Sequence, residues 1–317
     1  MIHFILAITP NPALDLGGVV DNLKPNEKSY VHDETRSPGG NAINAARILT
    51  RLKIPVIATG FLGGSTGEEI KGLLDFEGVK NKFVKIKGHS RICVSVSNKE
   101  NHKQTRLTFP GPQITHQEKE NLFRLLKNQK NISFILIGGS FPQGMQAIDV
   151  LALMSFAKAR NIKCIVDCPG NILRTLIAGG PTLIKPNLTE FQDLTQSRVT
   201  SMRSVCIQAQ KFLEEVPYIC VSSVEGGALL VTRDNSYFGH IPKIKIRSTV
   251  GAGDSMLGAM SAQLYKNNTS ADDILRWGLA SATASLAQPG TAFGSAKEIK
   301  HFYKMTTVKK IKIRNLN

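Results

Sequence analysis

The sequence has no CxxC pair among its five cysteines, no G-x-x-x-x-G-K-[ST] run, and no internal repeat or low-complexity segment. No stretch approaches the roughly 20 apolar residues that a membrane-spanning helix needs. Acidic residues are scarce: 24 Asp and Glu stand against 40 Lys and Arg, a net charge of +16. Each deficit excludes something. Without paired cysteines there is no zinc ribbon or disulfide framework. Cys164 and Cys168, which flank Ile165-Val166-Asp167, read as buried thiols on one face of a strand. Without the phosphate-loop pattern the chain is not a P-loop enzyme. The apolar run Phe4 to Ile8 is closed by Pro10 and Pro12 and is too short for a secretory signal, so a cytoplasmic location is expected. The basic excess raises nucleic acid as a partner. However, the basic residues are scattered, with one dense group at Lys309, Lys310, Lys312 and Arg314, and nucleic-acid binding is not the expected role.

What is present is a chain of 317 residues, 42% hydrophobic and 20% charged, long enough to bury a large core without metals or crosslinks. Apolar runs at Phe4–Ile8, Val56–Ala58, Phe134–Ile137, Cys164–Val166, Leu183–Ile184 and Tyr218–Val221 read as buried strands. Helix-length segments lie between them, at Ala42–Leu52, Ala147–Ala159 and Val205–Glu214. Continuous apolar strands separated by helices predict an α/β fold with a doubly wound, mostly parallel sheet. One region breaks the rhythm. Ile92, Val94 and Val96 alternate with polar residues, a polar turn follows at Asn98–Asn101, and Thr105–Phe109 alternates again. This predicts an antiparallel hairpin. With the extended polar segment 15–36 it forms a small β-sheet lid, from about 15–36 and 89–110, inserted into a single domain spanning 1–317.

The run Ile244 to Asp254 reads as a strand entering a turn, Gly251-Ala252-Gly253-Asp254, and a helix follows from Ser255. Two readings of these four residues stand. One is a helix N-cap with turn glycines. The other is a catalytic constellation: unpaired N–H groups at a helix start bind an anion. Beside them Asp254, held ionised by the helix dipole, is placed to take a hydroxyl proton in phosphoryl transfer. The spacing does not fit a dinucleotide G-x-G-x-x-G, because position 256 is methionine.

The extended run Ser248-Thr-Val-Gly-Ala-Gly-Asp-Ser-Met-Leu-Gly-Ala-Met-Ser261 resembles the C-terminal signature of the ribokinase-like (PfkB) carbohydrate kinases. Gly39-Gly-Asn-Ala-Ile-Asn-Ala-Ala46 resembles their N-terminal signature, and Thr9-Pro-Asn-Pro-Ala-Leu-Asp15 narrows the likeness to the phosphosugar branch. The resemblance covers nearly the whole chain. It implies ATP and Mg²⁺ as cofactors, a ketohexose phosphate as substrate, and a homodimer formed through the β lid. Fructose 6-phosphate going to fructose 1,6-bisphosphate is the best match. A 1-phosphofructokinase or tagatose-6-phosphate kinase is the alternative within the class, and a non-catalytic basic, nucleic-acid-binding protein the alternative outside it.

Roles follow from matching positions. Asp254 is the base, with Gly251, Ala252 and Gly253 as the anion hole. Asp15, Gly39, Gly40 and Asn44 match sugar-contacting positions, and Ser140 a substrate-contacting serine. Arg91 matches the arginine on the substrate phosphate, and Lys28 a lysine that reaches across from the partner subunit. Lys185, Asn187, Ser222 and Gly227 match the nucleotide side; Glu190 and Asn187 match the N-x-x-E positions that tune Mg²⁺ through water. The sequence departs from the pattern in places. Val224 stands where the nucleotide loop carries its first glycine, and a valine adopts φ > 0 only at a cost. Asn41-Ala42 replaces Lys-Gly, which leans toward the 6-phosphofructokinase type, while Tyr30 replaces that type's arginine.

Overall fold

The structure, a computed structural model, describes residues 2–101 and 103–311. Lys312 and Arg314 of the basic tail lie outside the described residues. In chain order, β1 (Phe4–Thr9), β2 (Ala13–Val20) and β3 (His32–Gly39) precede α1 (Asn41–Arg51). Then come β4 (Val56–Leu62), α2 (Gly64–Phe76), β5 (Val84–Lys85), β6 (Arg91–Asn98) and β7 (Gln104–Thr108). They are followed by α3 (His116–Asn128), β8 (Ile132–Gly138), α4 (Ala147–Ala159), β9 (Lys163–Asp167), α5 (Gly170–Leu176) and β10 (Leu183–Ile184). The remainder is α6 (Leu188–Thr195), α7 (Met202–Gln210), β11 (Tyr218–Val224), β12 (Gly227–Val231), β13 (Ser236–His240), α8 (Ala252–Lys266), α9 (Ala271–Leu286), α10 (Ala296–Met305) and β14 (Thr307–Ile311).

The large sheet has ten strands in the order β14-β13-β12-β11-β10-β9-β8-β1-β4-β5. From β5 to β11 neighbours pair parallel; β12, β13 and β14 add on antiparallel. Alternation along the buried strands splits the core in two. Leu6, Ile8, Ile135 and Ile137 face one cluster, while Ile5, Ala7, Phe134 and Leu136 face the other. Both faces are covered, which is why these strands read as continuous apolar runs. The five cysteines are free and buried, and Cys164 and Cys168 share one cluster. No helix among the described residues is long and apolar enough to cross a membrane.

The second sheet is the expected separate one, in the order β3-β2-β6-β7. β6 and β7 form the antiparallel hairpin, β2 pairs antiparallel with β3, and β2 runs parallel to β6. The register aligns Asp15 with Cys93 and Thr108, and Gly17 with Ser95 and Arg106. Side chains two apart share a face, so Asp15, Arg91 and Arg106 all project from one side of this sheet.

Two expectations need correction. Residues 244–249 are not a strand: the N–H groups of Arg247 and Ser248 donate to Leu286 O at the end of α9 rather than to a neighbouring strand. The predicted helix ending at Glu214 stops at Gln210, after which the backbone continues in tight turns with Phe212 N bonded to Ala209 O.

Candidate active site

β1 has β4 on one side and β8 on the other, so the strand order reverses there, and the carboxyl ends of the strands at such a point leave a crevice. α8 begins over that crevice. It packs on α1 through Gly258, where a Cβ would come within 2.8 Å of Ala45 O. The hydroxyls of Ser255 (α8) and Ser281 (α9) are 2.7 Å apart, and Ser285 donates to Ser255 at 2.8 Å. The start of α8 is thus tied on two sides.

Gly251 is the N-cap of α8 with φ 75°, and its missing Cβ would lie 2.7 Å from the Phe293 ring. Asp254 is not the cap: it is the third helical residue and makes no capping bond. Ser255 N–H is bonded to Gly251 O at 2.8 Å, and the N–H groups ahead of it have no partner within the helix. Asp254 Oδ2 instead accepts from Asn44 Nδ2 at 2.8 Å.

Two cavities meet at this turn. One, of about 550 Å³, is lined among others by Asp167, Lys185, Asn187, Glu190, Ser222 and Gly227. The other, of about 240 Å³, lies under the small sheet and is lined by Asp15, Gly40, Asn44, Arg91 and Arg106. Asn41, Gly253 and Asp254 line both.

Charge in the crevice is concentrated and largely buried. Burial, reinforced by Asp167, pushes the Asp254 carboxyl up to about 6, against the pull of Asn44 and Lys185. Desolvation outweighs the helix dipole and raises the pKa, yet at neutral pH the group is still mostly ionised, as expected of a base. A carboxylate with a pKa near 6 is well matched to general-base work near neutrality. Lys185 Nζ lies 3.4 Å from Asp167 Oδ1 and 3.3 Å from where a Gly253 Cβ would sit. Burial works against its charge, but Asp167 and Asp254 prevail and its pKa rises above the ordinary lysine value. Burial also raises Asp15, opposed by Arg106, Arg91 and Arg47.

The N-x-x-E segment is a capping box: Asn187 Oδ1 accepts from Glu190 N–H at 2.9 Å, and Glu190 Oε2 accepts from Asn187 N–H at 2.8 Å. This leaves Glu190 Oε1 for a cation, and the Asp167 carboxylate, which already meets Lys185 and Asn41, has lone pairs to share with one. Among the described residues no group of three or more His, Cys, Asp or Glu gathers as a metal cage. Two carboxylates suit Mg²⁺, which keeps several waters and shares phosphate oxygens. Burial and the nearby Asp167 raise the Glu190 carboxyl, and a bound cation would relieve both charges.

Other expected residues fall differently. Arg91 spends three N–H groups on backbone carbonyls, two on Asn11 O at 3.2 and 3.0 Å and one on Phe109 O at 3.0 Å. Ser140 Oγ accepts from Nδ2 of the same Asn11 at 3.3 Å and lines neither cavity. Gly39 lies against Asp15. Lys28 is exposed, 6.0 Å from the Tyr30 ring centroid, and lines neither cavity. Val224 does not adopt φ > 0; it ends β11 with its side chain in the core, and the left-handed positions are Ser223 (φ 62°), Glu225 (φ 44°) and Gly226.

Sequence reasoning missed Asp167, Arg106 and Asn41, whose Nδ2 donates to Asp167 Oδ2 at 3.2 Å. Asp167 had a signal, a lone acid closing an apolar strand at the end where ligands bind in such sheets. Arg106 makes no hydrogen bond or ion pair among the described residues, yet it lines the smaller cavity.

The fold and this crevice define a kinase of the carbohydrate class. The sequence profile of the pfkB family carbohydrate kinases matches residues 11–298, and the chain belongs to that family. It is 31% identical over 283 residues to a 1-phosphofructokinase of Borreliella burgdorferi, covering 89% of this chain and 91% of the relative. It superposes on phosphofructokinase-2 of Escherichia coli, solved with substrates and products, with a TM-score of 0.91 and 30% identity over 96% of this chain and 99% of that one. A possible 1-phosphofructokinase of Thermotoga maritima gives a TM-score of 0.89 at 25% identity, covering 98% and 100%.

Proposed function

We propose that the protein transfers the γ-phosphoryl group of MgATP to a ketohexose phosphate, with fructose 6-phosphate accepting at O1. The observation that carries this is the place of Asp254, on the wall shared by both cavities and at the start of α8. ATP occupies the larger cavity and the sugar phosphate the smaller. Asp254 removes the hydroxyl proton, and the N–H groups at Gly251–Gly253 with Lys185 stabilise the charge on the moving phosphoryl group. Asp167, Glu190 and Asn187 would hold Mg²⁺, in part through water, where it would neutralise phosphate charge. Asp15 and Asn44 hold sugar hydroxyls, with Gly39 and Gly40 admitting the sugar close to the backbone.

Arg91, Arg106 and Ser140 meet the substrate phosphate. Lys28 reaches the site of a second copy, in a homodimer formed through the small sheet, on and beside which Tyr30, Val31, Leu107 and Phe109 are exposed. The lid is part of one kinase domain working in the cytoplasm. The relative named 1-phosphofructokinase favours a second reading, fructose 1-phosphate as acceptor. The non-catalytic alternative loses its motive, since Val224 lies in the core and leaves the nucleotide turn unblocked.

An ADP-coupled assay over fructose 6-phosphate, fructose 1-phosphate, tagatose 6-phosphate and fructose tests the substrate; equal rates on free fructose sink the phosphate assignment. Asp254→Asn lowers kcat by about 10³-fold, the scale of general-base catalysis, and leaves substrate binding in place. In the wild type kcat/KM for the sugar falls as pH drops through about 6, where Asp254 of the free enzyme becomes protonated. The folded-state value lies above the ordinary 3.8. Asp254 therefore supports stability below that value, and this support is lost as pH rises through about 6. Asp254→Asn is then more stable than wild type at pH 7, by up to about 3 kcal/mol. Near-wild-type turnover in this variant removes Asp254 as the base.

A further inference from the structure

Asn44 is the one side chain that hydrogen-bonds Asp254 among the described residues. An amide has the same outline either way round, and what decides which end faces Asp254 is the group behind it. Arg47, one turn further along α1, donates from Nη1 to Asn44 Oδ1 at 3.3 Å. A guanidinium can only donate and an ionised carboxylate can only accept, so a single orientation of the amide satisfies both neighbours. Were the amide to turn over, Asn44 Oδ1 would face the carboxylate and its N–H₂ would face the guanidinium.

Arg47 is itself held from several sides. It is 3% exposed, and Glu77, at the end of α2, accepts from Nε at 2.8 Å and from Nη2 at 2.6 Å. This forked pairing fixes the guanidinium plane as a single contact does not. Nη1 also reaches Pro38 O at 3.4 Å. The guanidinium lies 4.6 Å from the Phe293 ring centroid, and that ring fills the Cβ space of Gly251. One buried cation therefore backs both the amide beside Asp254 and the ring behind the α8 turn.

We propose that Arg47, held by Glu77, is a positioning residue for phosphoryl transfer: it fixes the Asn44 amide so that its N–H₂ faces the Asp254 carboxylate. The inference rests on Asp254 being the base. Arg47 touches no reacting atom; it acts through Asn44. Lysine keeps the charge but cannot fork, so Arg47→Lys frees the amide. Glu77→Gln weakens the hold more gently and, with Glu77 partly exposed, carries the test should Arg47→Lys fold poorly.

Steady-state kinetics decide it, with folding followed by thermal melts. Arg47→Lys lowers kcat about 10- to 50-fold and Glu77→Gln about threefold, while KM for MgATP stays within about twofold, as loss of a transition-state interaction requires. Asn44→Ala lowers kcat at least as far, and adding Arg47→Lys or Glu77→Gln to it costs nothing more, since residues acting as one unit are not additive. The acid limb of the kcat/KM profile moves to higher pH in Arg47→Lys and Asn44→Ala alike, with Asp167, Lys185 and Asp15, the other charged groups facing Asp254, unchanged. Losses that multiply in the double variants overturn the proposal. So does an unmoved acid limb, or normal kcat in both Arg47→Lys and Glu77→Gln while Asp254→Asn is inactive. Retained turnover in Asp254→Asn instead overturns the base assignment, and this inference with it.

Discussion

The glycine pair leading into α1 and the turn joining β11 to β12 flank the same crevice, and both contain residues at φ > 0, Gly40 in the first and Ser223, Glu225 and Gly226 in the second. Their glycines answer different demands. At Gly39 a Cβ would lie 2.3 Å from Asp15 Oδ2, so the space a side chain needs is already held by a carboxylate of the sugar-side cavity. At Gly226 φ is 74°, but a Cβ would meet nothing within 4 Å, and its neighbours Ser223 and Glu225 take φ > 0 without being glycine. The first loop is constrained by atoms, the second only by torsion. A torsional demand costs on the order of 1 kcal/mol per residue and is tolerated. An occupied Cβ site admits no side chain unless the neighbour moves, and here the neighbour is Asp15.

Substitutions can break that contrast. Gly39→Ala displaces the Asp15 carboxylate, and because misplacement on the scale of 1 Å costs about 10²-fold, kcat/KM for the sugar falls by about that factor. KM for MgATP stays within about twofold, since the strain is confined to the sugar side. An alanine variant within about threefold of wild type on both substrates would mean that Asp15 has room to yield and that the two loops are alike. On the other side, Val224→Gly installs the residue expected there for a nucleotide loop. Val224 is 0% exposed, so the change empties a core position and loosens the backbone, costing about 2–3 kcal/mol in denaturant unfolding. Tighter ATP binding in Val224→Gly would show that the valine does restrict the turn.

The same contrast shows what a sequence can reveal. Asp254 and Gly251 were legible because a helix start, a glycine turn and an acid are local features that one short run displays. The parallel sheet was legible because strands buried on both faces leave continuous apolar runs. Arg106 was not. Its part in the smaller cavity depends on β7 pairing with β6, and β6 with β2, which brings it to the same face as Asp15. β14 was missed because Thr307–Ile311 is a polar edge strand whose partner, β13, is remote in the chain. Arg47 looks like an ordinary helix cation; its burial rests on a paired acid, Glu77 at the end of α2, and that pairing is not visible in α1 alone. Val224 was misjudged because a register shift between Ser222 and Val224 moves the left-handed positions to either side of it.

The smallest effect is the sharpest test of the torsional half of the contrast. Gly226→Ala adds a methyl to open space at φ 74°, so it pays only for left-handed backbone, about 1 kcal/mol. A thermal melt should register that loss. The added methyl meets no protein atom at the wall of the larger cavity, which Gly226 lines, so kcat and the sugar KM stay at wild-type values and KM for MgATP shifts by no more than about twofold. Should Gly226→Ala instead damage nucleotide binding as badly as Gly39→Ala damages sugar use, open space in this structure would have to be space that ATP itself fills. Gly226 would then be held by a ligand atom, as Gly39 is held by Asp15, and the two sides of the crevice would obey one rule.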